Sequence, residues 1–282
     1  MVLKLLAKLP LSALYGLSYI GFVIVFYLVR YRRETVYQNL KNSFPGYREA
    51  ELRAVEKQVY KNFLDVAVET IKAIDIDAAE LIERVHITNP ELIEEHIKKG
   101  QSVIVLAAHQ CNWEWLLLAA CQQLSLPFDV VYKPLHNKKI NELIFTIRAR
   151  FGALPIAHHN AVIEIMKRRK TVRGFAMVAD QTPLRREEKY WTTWLNQDTA
   201  FAVGAAKIAK ITKYPVLFVG MKRIKRGYYE AFFKKLGVPP YDSDGYAIIE
   251  HYVRETERQI KEAPADWLWT HRKWKYKKPL YS

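Results

Sequence analysis

The chain has only two cysteines in 282 residues, Cys111 and Cys121. Ten residues apart on or beside one predicted helix, they would be separated by a rise of about 15 Å, too far for a disulfide, so nothing indicates an oxidising compartment or a zinc site. Glycine and proline are sparse as well, at 11 and 12 residues. They are scattered rather than clustered, which leaves no linker, repeat or low-complexity tract. There is no glycine-rich phosphate loop, no Gly-x-Ser-x-Gly elbow and no dinucleotide fingerprint, so nucleotide, serine-hydrolase and nicotinamide chemistry have no support. His158 and His159 are adjacent, but no carboxylate or cysteine stands at ligand spacing from them. No metal or other cofactor is implied.

Acidic residues are missing from both ends of a chain whose net charge is +15. Residues 1–33 carry Lys4, Lys8, Arg30, Arg32 and Arg33 without a carboxylate, and residues 267–282 carry Arg272, Lys273, Lys275, Lys277 and Lys278 without one. Between the first cations, residues 9–29 form an uncharged run of 21 residues, the length that crosses about 30 Å of hydrocarbon. Residues 1–33 therefore read as an N-terminal membrane anchor, spanning ranked above lying on the surface. The larger basic cluster follows the run, which by the positive-inside tendency keeps the remainder of the chain on the cytoplasmic side. A cleaved signal peptide fits less well, since the run is long and no small-x-small site follows it. The C-terminal run from Trp267 to Lys278 interleaves indole and phenol rings with cations. That mixture suits an anionic headgroup layer, although its tryptophans would serve equally to cap a core. Nucleic-acid binding would leave the apolar N-terminal run unexplained, and no nucleic-acid partner is expected.

Half of the residues are apolar, enough for a sizeable core, and residues 34–282 are expected to form a single α/β domain with an aromatic and basic tail. Leu52, Val55, Val59, Phe63, Val66 and Ile74 recur at helical spacing, so residues 48–74 read as an amphipathic helix. Beyond it, strands at 102–107, 128–133, 174–179, 215–220 and 228–233 alternate with helices at 112–124, 137–150, 160–169, 200–212 and 246–261. Such alternation predicts a mixed, largely parallel central sheet flanked by helices, with the site at the carboxyl ends of its strands.

Two residues at those strand ends carry chemistry, His109 and Asp180. His109 follows the apolar run 102–108 and stands five residues before Glu114. On one helix the two would point roughly 140° apart, so they converge only if a strand ends before His109 and a helix begins near Asn112, a favourable N-cap type. Read this way, His109 is a general base and Glu114 its orienting carboxylate. Backbone N–H groups near Asn112 and Trp113 would face a developing oxyanion. Cys111 invites a covalent mechanism, but two residues from His109 on a turn its sulfur is expected to point elsewhere.

The block His109-Gln-Cys-Asn-Trp-Glu114 resembles the His-x4-Glu motif of the bacterial lipid A biosynthesis (late, or secondary) acyltransferases, relatives of lysophospholipid acyltransferases with His-x4-Asp. Further blocks follow in the order of that family. Arg33-Glu-Thr-Val-Tyr-Gln-Asn-Leu-Lys-Asn-Ser-Phe-Pro is similar to its opening segment, Tyr132-Lys-Pro-Leu and Arg148-Ala-Arg-Phe-Gly to its next two, Asp180-Gln181 to another, and Trp267-Leu-Trp-Thr-His-Arg-Lys-Trp-Lys to its C-terminal signature. Lys133 stands where members often have Arg, and Cys111 where many have Gly.

The resemblance implies a membrane-associated O-acyltransferase that moves a fatty acyl group from acyl carrier protein or acyl-CoA to a hydroxyl of a lipid A precursor. Another lipid acceptor, such as a lysophospholipid, a phosphoinositide mannoside or an aminolipid, is the alternative, and a non-enzymatic anionic-membrane or nucleic-acid binder a more distant one. His109 and Glu114 would be catalytic, with Asn112, Lys133, Arg150, Asp180 and Gln181 binding substrate. Arg148, Arg150, Lys207, Lys222 and Arg223 would form a basic rim for anionic partners if they share the crevice, Arg150 being the one that the family blocks single out.

Overall fold

The computed structural model describes residues 2–242 and 245–278. Helices α1 (Val2–Ala7) and α2 (Leu11–Val23) open the chain, and α2 continues into a π-helical stretch, Ile24–Leu28. Helices α3 (Arg33–Ser43) and α4 (Glu49–Lys72) follow, the second matching the expected amphipathic helix. The alternating part then runs α5 (Ala78–Arg84), β1 (Val85–Ile87), α6 (Glu91–Lys98), β2 (Val103–Ala107), α7 (Trp113–Gln123), β3 (Phe128–Tyr132), α8 (Lys138–Ala149), β4 (Leu154–Ala157), α9 (Ala161–Lys167) and β5 (Gly174–Val178). A hairpin of β6 (Lys189–Trp194) and β7 (Gln197–Ala202) precedes α10 (Gly204–Thr212), β8 (Val216–Lys225), β9 (Tyr228–Gly237) and α11 (Tyr246–Glu262).

Seven strands form one sheet in the order β1-β9-β8-β2-β5-β3-β4 among the described residues. Every neighbour pair is parallel except β8 with β9, which a short turn joins. The class is therefore mixed α/β with a largely parallel sheet, as the alternation predicts. Strand β2 lies mid-sheet and all five of its residues are buried. Its side chains divide by the two-residue period of a strand: Ile104 and Leu106 enter one core with residues of α10 and α11, while Val103, Val105 and Ala107 enter the other with residues of α7. A strand covered on both faces has to be apolar throughout, which is why 102–108 is an uninterrupted run.

The structure corrects or adds to the sequence reading in several places, β1 and β4 among them. Residues 200–202 are not helical but pair with 189–191 across the β6–β7 hairpin. Its two turn residues, Leu195 and Asn196, have φ of 50° and 60°, a turn that Asn tolerates but that the Leu-Asn pair does not announce as Asn-Gly would. The C-terminal aromatic run divides: its tryptophans cap the core, while Arg272, Lys275, Lys277 and Lys278 stay exposed. Trp267 and Trp269 are buried, Trp274 stacks on Trp194 at 5.6 Å, and Lys273 is 2% exposed. Finally, α2 is packed lengthwise on α4, with Leu11, Leu14, Ser18, Phe22 and Phe26 buried at helical spacing along that side.

Candidate active site

Strand β2 ends at Ala107, and β5 stays in register beside it, with the Ala179 N–H donating to the Ala107 carbonyl at 3.2 Å. The residues just past the two strand ends, His109 and Asp180, are thus brought side by side. Asp180 Oδ1 is 2.6 Å from His109 Nδ1, and Oδ2 accepts the His109 backbone N–H at 3.0 Å and the Trp267 indole N–H at 2.7 Å. Burial alone would raise the Asp180 carboxyl, but the facing His109 and these three hydrogen bonds outweigh it and hold the group far below the usual carboxylate range. An ionised carboxylate at Nδ1 keeps the ring proton there and leaves Nε2 as the free base. Gln181 points its side-chain nitrogen at that atom from 3.2 Å.

The expected pairing of His109 with Glu114 is not the one formed. Glu114 accepts two hydrogen bonds from Arg148, at 2.8 Å and 2.5 Å, and a third from the Trp113 indole at 3.1 Å. Trp113 in turn sets its ring edge-on to the His109 imidazole, centroids 4.9 Å apart. Helix α7 thus directs Glu114 towards α8, while the strand-end carboxylate takes the position beside Nδ1. Proximity in sequence pointed to Glu114. Only the β2–β5 pairing, which joins positions 71 residues apart, brings in Asp180.

A cavity of about 520 Å³ opens beside His109. His109, Gln181, Lys133 and the Glu114–Arg148 pair stand among its lining, and Leu117, Ala120, Phe128 and Val130 carry it down between α7 and the sheet. Since β2 and β3 run in the same direction on either side of β5, Phe128 at the start of β3 lies at the end remote from His109. The cavity is therefore a polar mouth over an apolar shaft, the form of a site for a long aliphatic chain with a reactive head.

Several predicted site residues fall elsewhere. Asn112 is wholly buried, capping α7 through the Trp115 N–H at 2.9 Å and donating to Glu69 at 2.8 Å, so it supports the turn and is not among the residues that line the cavity. Arg150 donates to the Ala73 carbonyl at 2.8 Å and lies against Phe151; the cavity is lined instead by Arg148. The supposed basic rim is largely neutralised, since Lys207 pairs with Glu188, Lys222 with Glu262 and Arg223 with Asp266. Cys111 has φ of 55°, a backbone region that favours glycine. Its thiol is buried, donates to the Met221 carbonyl at 3.4 Å, and is pushed well up by burial, which leaves it poorly suited as a nucleophile.

The C-terminal segment completes the site from behind. The Leu268 N–H donates to the His109 carbonyl at 3.0 Å and the Cys111 N–H to the Asp266 carbonyl at 2.9 Å, which fixes the turn. His271 Nε2 accepts from the Thr182 N–H at 3.0 Å, and burial lowers that imidazole to about 4, so it stays neutral. Lys273 donates to the carbonyls of Gln181 and Ala200 at 3.3 Å and 2.9 Å. The six blocks that resemble one family are thus assembled around one carboxylate and one imidazole, or brace them. Residues 1–276 match the family model described as bacterial lipid A biosynthesis acyltransferase. The chain belongs to that family. No curated protein matches it. As a lipid A-type acyltransferase it requires an acyl donor and a lipid acceptor in general terms, and a base beside an apolar shaft has a direct use in that chemistry.

Proposed function

We propose that this acyltransferase moves a fatty acyl group from a thioester, on acyl carrier protein or coenzyme A, to a hydroxyl of a lipid A precursor. The observation that carries the reading is the juxtaposition of an Asp180-anchored His109 with a 520 Å³ cavity whose depth is apolar. The acyl chain would occupy the shaft, placing its thioester at the mouth. The acceptor hydroxyl would replace the Gln181 amide at Nε2, which holds that position through a hydrogen bond.

A lipid hydroxyl is a weak nucleophile at neutral pH, so a base has to take its proton as it attacks. In the proposed step His109 Nε2 removes that proton while the oxygen bonds to the thioester carbon. The tetrahedral oxyanion then collapses, the C–S bond breaks, and the imidazolium gives the proton to the departing sulfur. Asp180 stabilises the imidazolium without itself accepting a proton, as the acid of a triad does. Glu114 is assigned a positioning role: it holds Arg148 at the mouth and steadies His109 through Trp113. Lys133 lies on the same rim, where its charge suits a phosphorylated acceptor or an acidic carrier. We place the protein at the inner membrane with its site on the cytoplasmic face, in keeping with the apolar N-terminal helix and the basic residues that follow it.

The deciding experiment supplies purified protein with acyl carrier protein or coenzyme A thioesters and lipid A precursors, and reads products by mass spectrometry. A gain of one acyl group, abolished by His109→Ala with an unchanged circular dichroism spectrum, is expected. Activity retained in His109→Ala, or acylation only of a different lipid class, would overturn the reading.

A further inference from the structure

Helix α2 and its π-helical continuation turn one apolar face outward. Leu17, Tyr19, Ile20, Ile24, Tyr27 and Leu28 are exposed, Leu28 by 73%. By length and composition Leu11–Leu28 qualifies to cross a bilayer, yet its opposite face is fastened to the domain by polar groups. Lys72 donates to the carbonyls of Ala7 and Leu9 at 3.2 Å and 3.3 Å, the Tyr15 hydroxyl to Glu69 at 2.8 Å, and the Ser18 hydroxyl to Asp65 at 2.5 Å. Arg226, from the β8–β9 turn, binds both Asp65 and the Tyr15 carbonyl. Asp65, Glu69 and Lys72 are all buried. Because later residues of α2 meet earlier residues of α4, the two helices run antiparallel along this seam.

That arrangement cannot be stood upright in a bilayer. The β8–β9 turn sits against the first half of α2, with Gly227 so close that a Cβ there would come within 2.2 Å of the Tyr15 hydroxyl. A membrane-crossing α2 would draw this turn and the Asp65, Glu69 and Lys72 side chains of α4 into hydrocarbon. An α2 that detached in order to cross would give up its hydrogen bonds to Asp65, Glu69 and Lys72 and uncover the apolar side that Leu14, Phe22 and Phe26 bury against the domain.

We propose that residues 2–28 bind in the plane of an anionic lipid leaflet, with the exposed face among the acyl chains and the helix still docked on α4. This goes beyond the acyl-transfer reading and does not depend on it. The occupant is lipid and not a second copy of the chain because residues 1–33 hold five cations and no acid. Two copies meeting on this face would oppose those cations, whereas anionic headgroups would neutralise Lys4, Lys8, Arg30 and Arg32 at the two ends. Tyrosines beside the aliphatic residues suit the boundary between headgroup and acyl layers.

The test places single cysteines at Lys4 and, as a reference in the domain, at Lys170, and labels sealed membrane vesicles with a membrane-impermeant maleimide. The parent protein, whose own cysteines are buried or half-buried, sets the background. Lys4→Cys and Lys170→Cys are expected to label from the same side. Labelling of Lys4→Cys from the opposite side, or only after detergent, means that α2 crosses or is engulfed and overturns the proposal. In a second arm, purified Ile20→Asp/Leu28→Asp protein is expected to bind phosphatidylglycerol–phosphatidylcholine vesicles at least tenfold more weakly, with an unchanged circular dichroism spectrum. Unchanged vesicle binding, or a loss of self-association in place of a loss of vesicle binding, would refute it.

Discussion

Asp180 grips His109 twice, Oδ1 at the ring Nδ1 and Oδ2 at the backbone N–H, so that one buried carboxylate sets both the tautomer of the imidazole and the position of the main chain beneath it. Glu114, five residues from His109, performs neither task. The two carboxylates therefore make different contributions, and substitution separates them. Asp180→Asn should keep the fold and lower kcat by roughly 10⁴, the loss seen when the acid of a triad becomes an amide. Glu114→Gln should cost one to two orders of magnitude less in the same steady-state assay. A larger loss from Glu114→Gln would return the orienting role to Glu114.

Arg148 and Glu114 form a buried pair at the cavity mouth, 17% and 6% exposed. Arg148→Met would leave an unpaired carboxylate in that wall and should destabilise the protein by about 3–5 kcal/mol in urea unfolding. Combining it with Glu114→Leu removes the orphaned charge and should recover most of that loss. Recovery of stability without recovery of activity would separate the structural from the functional share of the pair.

On the proposed reading the shaft holds the acyl chain, and its depth sets the chain length that fits. Ala120 lines it on α7, one turn beyond Leu116 and Leu117. Ala120→Phe should shift preference towards donors several carbons shorter while leaving the rate with those short donors close to that of the parent. Competition between mixed-length thioesters, read by mass spectrometry of the product, checks this. An unchanged chain profile would place the acyl group elsewhere.

Lys273 is buried behind the site, and burial lowers its ammonium to about 7, opposed by the attraction of Asp180. The unfolded chain, with an ordinary lysine near 10.4, binds the proton more tightly than the folded one, so stability should rise with pH between about 7 and 10. The slope this group contributes approaches about 1.4 kcal/mol per pH unit within that window. Below about 7 both states hold the proton and the contribution is flat. Lys273→Met should remove this slope from denaturant unfolding measured at pH 7 and pH 9.5. An undiminished slope would assign the pH dependence to other groups.

Much of the fold could be read from composition and period. The run 102–108 is apolar because β2 is covered on both faces, and Leu52 to Val66 repeats at helical spacing because α4 has one face in the core. Those are local consequences of burial, and they place His109 at a strand end without any coordinates. The β6–β7 hairpin escaped because its Trp- and Thr-rich strands are joined by Leu195-Asn196, a turn with weak local signal.

The sequence by itself determined the α/β class, the strand-end position of His109 and the family to which the chain belongs. It could not determine which carboxylate meets that imidazole, because hydrogen bonds across a parallel sheet join residues far apart in the chain, and Asp180 reaches His109 only through the β2–β5 register. Nor could it place the two basic, acid-free ends. Hydropathy records how apolar a segment is but not which of its faces already has polar partners. Tertiary packing sends Trp267, Trp269 and Lys273 inward to brace Asp180 and Gln181. It also fixes one side of α2 to Asp65 and Glu69 and leaves only the other free.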